Sequence, residues 1–101
     1  MKWLTLERIK QQCRIEQDFH DEDEILELYG ESAEEVLMAV LGRTYEDMFE
    51  EYGLVPSPVV HASLMLVAKG YKDRESDMMQ EAHENKTFCL LLKPYVRLAD
   101  K

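Results

Sequence analysis

SPVVHASLMLVAKGYK, residues 57–72, is the stretch whose reading decides the fold. Ser57 followed by Pro58 reads as N-cap and first helical position, where proline's missing N–H costs nothing because that donor has no partner inside a helix. Val59, Val60, Leu64, Leu66, Val67, Ala68 and Tyr71 then spread around most of the helix circumference, and only His61, Lys69 and Lys72 form a narrow polar stripe. A helix apolar on nearly every side belongs at the centre of a bundle or between subunits. In so small a chain, some of both is expected.

Outward from this helix, the flanking segments are also helical. Thr5 is placed to cap a short first helix with Glu7 in its first turn, and Leu6, Ile9, Lys10 and Cys13 follow with helical spacing. Trp3 and Leu4 precede the cap, free to fold back as a staple or to lie against a neighbour. Asp21, with Glu24 three residues on, starts a second helix that runs to Leu41 before Gly42. On a wheel, Ile25, Tyr29, Ala33, Val36 and Val40 share one arc, while Glu24, Glu27, Glu31, Glu34 and Glu35 fill the opposite one. Met38 falls on the acidic side as an apolar misfit. Thr44 and Asp47 cap a third helix ending at Gly53, with Tyr45, Met48, Phe49 and Tyr52 on one face. From Asp73 to Lys86 the chain turns polar and reads as a helical end passing into a mobile loop. Thr87 then caps a last short helix through Leu90, Leu91 and Leu92 that Pro94 terminates. Strand signals are weak throughout, so the fold class is all-α: one domain over residues 1–101, a bundle of about four to five helices around a central apolar one.

The 101 residues have 46% hydrophobic content, enough for a real core and too little length for two. Net charge is −9, from 21 acidic and 12 basic residues. Such a chain repels phosphate backbones, which disfavours gripping a duplex or reading its sequence. Cys13 and Cys89 lie far apart on apolar stretches with no Cys-x-x-Cys pairing and no secretory segment ahead of them. Buried free thiols in a reducing cytoplasm are the expectation. No apolar run approaches membrane-spanning length.

Chemistry-bearing motifs are weak. His20-Asp21-Glu22-Asp23-Glu24 clusters oxygens, but without the glycine and ligand spacing of a calcium loop, and acids at a helix start suit the macrodipole anyway. His20, His61 and His83 lack zinc-ligand spacing. Ser32, Ser57, Ser63 and Ser76 have no glycine elbow, and the glycines are scattered singly, so no phosphate cradle forms. No catalytic, metal or cofactor-binding residue is assigned, and an enzyme is not expected. Tyr71 with Arg74, and Tyr95 with Arg97, carry the residue types enriched at interface cores. An intramolecular clamp explains them equally well.

Three blocks in fixed order carry a further reading. Thr5-Leu6-Glu7 leads through Lys10 to Arg14-Ile15 and an acidic turn at Asp18 to Asp23. Val55-Pro56 opens the apolar run ending in Tyr71 and Arg74-Glu75. Phe88 is followed by Leu91-Leu92, Pro94-Tyr95 and Arg97. Over nearly the whole chain these resemble the small helical head–tail connector proteins of bacteriophages and prophages, also labelled DNA-packaging proteins. Val96 departs from the pattern, since the family more often places arginine directly after that tyrosine.

The resemblance implies a structural virion protein made in the bacterial host cytoplasm and located in the virion neck. There it would form a homo-oligomeric ring below the portal protein, extending the DNA channel and meeting the next connector or tail component. Ring contacts are heterologous, and the candidate second surface comprises Trp3, Met38, Met78, Met79 and the segment Leu91 to Arg97, with Tyr71 and Arg74 as further interface residues. Glu27, Glu31 and Glu34 are the candidate acidic channel or solvent face. The rival reading is a monomeric acidic protein-binding module that mimics DNA, motivated by the acidic second helix.

Overall fold

The computed structural model describes residues 1–73 and 78–96, apart from the side chains of Met79 and His83. Within them the chain forms six α-helices: α1 (Leu6–Cys13), α2 (Asp23–Leu41), α3 (Tyr45–Tyr52), α4 (Ser57–Lys72), α5 (Met78–Glu84) and α6 (Lys86–Leu92). A 3₁₀ turn, Lys93–Tyr95, follows, and no strand is present among the described residues. The fold is all-α, with α4 at its centre: α2 packs most extensively against it, and α1 and α6 close its remaining sides.

Local chemistry accounts for the helix ends. Thr5 Oγ1 accepts from Arg8 N–H at 3.1 Å, and Thr44 with Asp47 forms a reciprocal capping box, each bond 3.1 Å. Gly42 and Gly53 stop α2 and α3 in left-handed backbone, at φ 67° and 79°. Arg14 does the same for α1 at φ 61° without being glycine, and the Ile15 N–H reaches back to Lys10 O at 2.8 Å.

Several boundaries differ from the sequence reading. α2 starts at Asp23 with Glu22 as an N-cap that makes no side-chain cap bond, because Asp21 is left outside in the preceding turn. Pro56 holds the cap position of α4, one residue earlier than expected, and Pro58 still lies in the first turn where it is tolerated. The polar stretch after Asp73 contains a helix rather than only a loop: in α5, Ala82 is buried and Met78 packs four residues before it. Asn85, not Thr87, caps α6, its Oδ1 accepting from Phe88 N–H at 3.1 Å.

One apolar cluster joins all of these elements. Ile9, Leu26, Leu37, Leu41, Val59 and Leu66 are fully buried within it. Truncating any of those leucines to alanine would cost about 2–5 kcal/mol. The buried face of α2 is Leu26, Gly30, Ala33, Glu34, Leu37 and Leu41, about one residue out of phase with the expected arc. Ile25, Tyr29, Val36 and Val40 flank it, half-buried. Gly30 lies where a Cβ would meet Met1 Sδ at 2.3 Å and Ile9 Cδ1 at 2.9 Å, so glycine lets the N-terminal arm and α1 lie close on α2. Neither cysteine is in a disulfide among the described residues, and neither is fully buried as expected: Cys13 is half-buried and Cys89 exposed, because it occupies the outer side of the short α6.

Candidate assembly surfaces

Five residues at the N-terminus run along α2 and are held by one carboxylate. Glu34 is only 3% exposed. Its Oε1 accepts from the Lys2 N–H at 2.8 Å, and its Oε2 accepts from Trp3 N–H at 2.9 Å and Leu4 N–H at 2.8 Å. The arm lacks helical partners for these donors, so a buried carboxylate is what makes its burial affordable. Trp3 then stacks on Tyr45 with centroids 6.4 Å apart and donates its indole N–H to Ser63 Oγ at 3.0 Å. Trp3 and Glu34, expected on two different outer surfaces, therefore meet in the interior. Trp3 is 8% exposed and Glu34 3%, so each is enclosed within its own chain where an outer position was expected.

The turn between α1 and α2 is closed by a second buried charge. Lys10, 2% exposed, donates to Gln17 O at 3.1 Å and Phe19 O at 2.6 Å and forms an ion pair with Asp23 Oδ1 at 2.9 Å. The hydrogen bond from Lys10, with a lesser one from His20 Nδ1 at 2.9 Å, holds the Asp23 carboxyl below its ordinary pKa of 3.8. Burial, aided by nearby Glu22, pushes the Cys13 thiol above its ordinary value. Glu22 also accepts the Tyr71 hydroxyl at 2.7 Å, tying the end of α4 to the start of α2.

A third clamp centres on Arg43, which no sequence feature singles out beyond its place after the Gly42 stop. Its guanidinium lies over the Tyr52 ring, 5.6 Å from the centroid, donates Nε–H to Tyr95 O at 2.8 Å and pairs with Glu51. Tyr95 meets Tyr52 edge-on at 5.8 Å. Both candidate tyrosines thus make intramolecular contacts. Met38, Met78 and Leu91 are half-buried, and Met38 and Met78 pack against the core. Arg74, Arg97 and the Met79 side chain lie outside the described residues.

Two outer faces remain. On α2, Glu24, Glu27, Leu28, Glu31 and Glu35 form one exposed stripe, with Leu28 55% exposed at its middle. Glu27 and Glu31 keep the exposure expected of them. On the outer face of α4, two recesses follow one another and share Gln12, one along Ser57, His61 and Leu64 and the next along Met65, Lys69 and Lys72; together they are called the α4 groove. It is walled by Arg8, Gln11 and Gln12 of α1 at one end and by Glu81 and Asn85 at the other. A smaller apolar groove lies between Val40, Ala82, Leu92 and Val96, beside exposed Leu90.

A family model described as "Phage gp6-like head-tail connector protein" matches residues 4–96. The chain belongs to this connector family. The match takes in every helix from α1 to α6 and ends just past the Tyr95 clamp. Membership carries a structural role in the phage head–tail connector, with portal and tail proteins as partners and the virion neck as location; the family is not a class of enzymes. No curated protein and no solved structure matches the connector chain significantly. Among the described residues, no helix is long and apolar enough to cross a membrane, and no group of His, Cys, Asp and Glu is gathered as a metal site.

Proposed function

We propose that this connector, read as one domain over residues 1–101, assembles as a homo-oligomeric ring between portal and tail and extends the DNA channel. Membership of the connector family over residues 4–96 carries the reading. Two physical features support it. The net charge of −9, multiplied around a ring, gives an assembly that repels phosphate, so DNA slides through without adhering and without sequence-specific contacts. In addition, exposed apolar side chains such as Leu28, Leu54 and Leu90 lie outside the core, which suits a surface to be covered by neighbours. Synthesis in the host cytoplasm precedes incorporation into the neck.

Light scattering over a wide concentration range, with and without portal, tests this together with micrographs of the heaviest fraction. Closed rings with a central hole are expected. A strict monomer under both conditions would refute the ring. The exposed glutamate stripe of α2 favours a second reading, a monomeric acidic module that mimics DNA. That reading requires tight, salt-sensitive binding to a basic protein and no self-association.

A further inference from the structure

The exposed stripes of α2 and α4 both face away from the buried contact between the two helices. The two helices share their buried faces, Leu26 to Leu41 of one and Val59 to Gly70 of the other, so their outer faces are turned away from each other. Those outer faces are also opposite in charge. The α2 ridge carries Glu24, Glu27, Glu31 and Glu35, of which only Glu31 meets a cation among the described residues, the N-terminal ammonium at 3.9 Å. In a chain of net charge −9, the α4 groove gathers Arg8, Lys69 and Lys72, with His61 between them. None of the four has an ion-pair partner among the described residues. Among the described residues that line the groove, Glu81 is the one carboxylate, and it accepts from Asn85 Nδ2 at 2.7 Å.

We propose that the α2 ridge of one copy docks into the α4 groove of the next, and that this pair of faces is the repeating contact of the ring. The inference rests on the ring reading above and names its interface. Shape and polarity agree. Leu28 projects from the middle of the ridge, while Leu54, 59% exposed, stands at the groove's mouth above half-buried Val60 and Leu64. At 1.5 Å per residue the ridge from Glu24 to Glu35 spans about 16 Å and the groove from Ser57 to Lys72 about 22 Å, so one seats within the other. Two unlike faces make a heterologous contact, which propagates around a ring instead of closing as a two-fold dimer. Glu27 and Glu31 then lie between subunits, facing lysines, and not on the channel wall.

Charge reversal tests this. Two variants of the full chain are made, E27K/E31K and K69E/K72E, and their assembly is followed by light scattering and micrographs beside the parent's. Each alone should need about ten-fold or more higher concentration for half-assembly, because attraction at the rim becomes repulsion. Mixed in equal amounts they should regain rings, since each variant's reversed face then meets the other's reversed face. The quadruple variant E27K/E31K/K69E/K72E should assemble alone. Helical circular dichroism and melting separate assembly from folding, and all four positions are exposed. If the parent forms rings and both double variants form them equally well, the interface is wrong while the ring stands. A parent that stays monomeric even with portal overturns the ring and this interface together. Rings that persist in K69E/K72E but no longer bind portal would assign the groove to portal, against the proposal.

Discussion

Replacing Glu34 by alanine removes the acceptor for three backbone donors, two of them buried. If the arm stays docked, each buried N–H left without a partner costs about 1–3 kcal/mol, or about 2–6 kcal/mol together. Should the arm release instead, it exposes Leu4 and Trp3, with a loss of about 1.5–3 kcal/mol for the leucine alone. Freed backbone returns about 1–2 kcal/mol per residue in entropy, so release caps the cost from above. Since release limits the loss to the lower half of that docked range, a cost of about 3 kcal/mol is expected, which in a chain of this size lowers Tm by roughly 12–24 °C. Glu34→Gln retains one acceptor oxygen but loses the charge and turns an NH₂ toward a donor, so it should cost about half as much. Exposed Glu35 is the matched control, and Glu35→Ala should change stability by less than about 0.5 kcal/mol. Thermal and urea unfolding measure these differences, and Trp3 fluorescence, from the chain's single tryptophan, reports arm release separately. A Glu34→Ala protein melting within about 2 °C of the parent would refute the view that this carboxylate holds the arm.

Three further outcomes follow from the other clamps. Because the folded pKa of Asp23 is depressed, its contribution is fully present above the ordinary value of 3.8 and is lost as pH falls through the lower folded value. The stability gap between parent and Asp23→Asn should therefore hold down to about the ordinary value of 3.8 and close on further acidification, as followed by urea midpoints; a gap unchanged in acid would contradict the Lys10 pairing. Arg43→Ala should speed amide exchange over residues 89–96 while costing only about 1–3 kcal/mol globally, and Arg43→Lys should not restore protection, since lysine lacks the planar fork. Tyr71→Phe removes one hydroxyl bond to Glu22 and should cost about 0.5–1.5 kcal/mol in urea unfolding, with ring assembly unchanged if the contact is only intramolecular.

The sequence was most legible where a local rule acts alone. Thr5, the Thr44–Asp47 box, Gly42, Gly53 and the all-round apolarity of α4 each announce themselves within a few residues, and each is found where expected. Glu34 was illegible for the opposite reason: beside Glu31 and Glu35 it is one more glutamate on an acidic helix, and the donors that bury it lie 30 to 32 residues away. The α2 phase slipped with it, because counting Glu34 as polar rotates the apolar arc away from Leu26, Leu37 and Leu41. α5 was hidden by composition, its inner face reduced to little more than Met78 and Ala82. Of the interface residues, Tyr71 and Tyr95 were picked out by type, but their partners Glu22 and Arg43 were not. Only packing reveals such pairs.

Lys10 gives the chain an internal reference for chemical footprinting. Its ammonium is enclosed by two carbonyl acceptors and the Asp23 carboxylate, whereas Lys2, Lys69, Lys72, Lys86 and Lys93 are exposed. An amine-acylating reagent applied to the native protein will therefore modify the surface lysines quickly and Lys10 only when the α1–α2 turn opens. Inside an intact phage particle, the same reaction read by mass spectrometry would separate two events that melting curves merge. Labelling lost at surface lysines marks what a neighbour covers, and labelling gained at Lys10 counts how often a subunit comes apart while still in place.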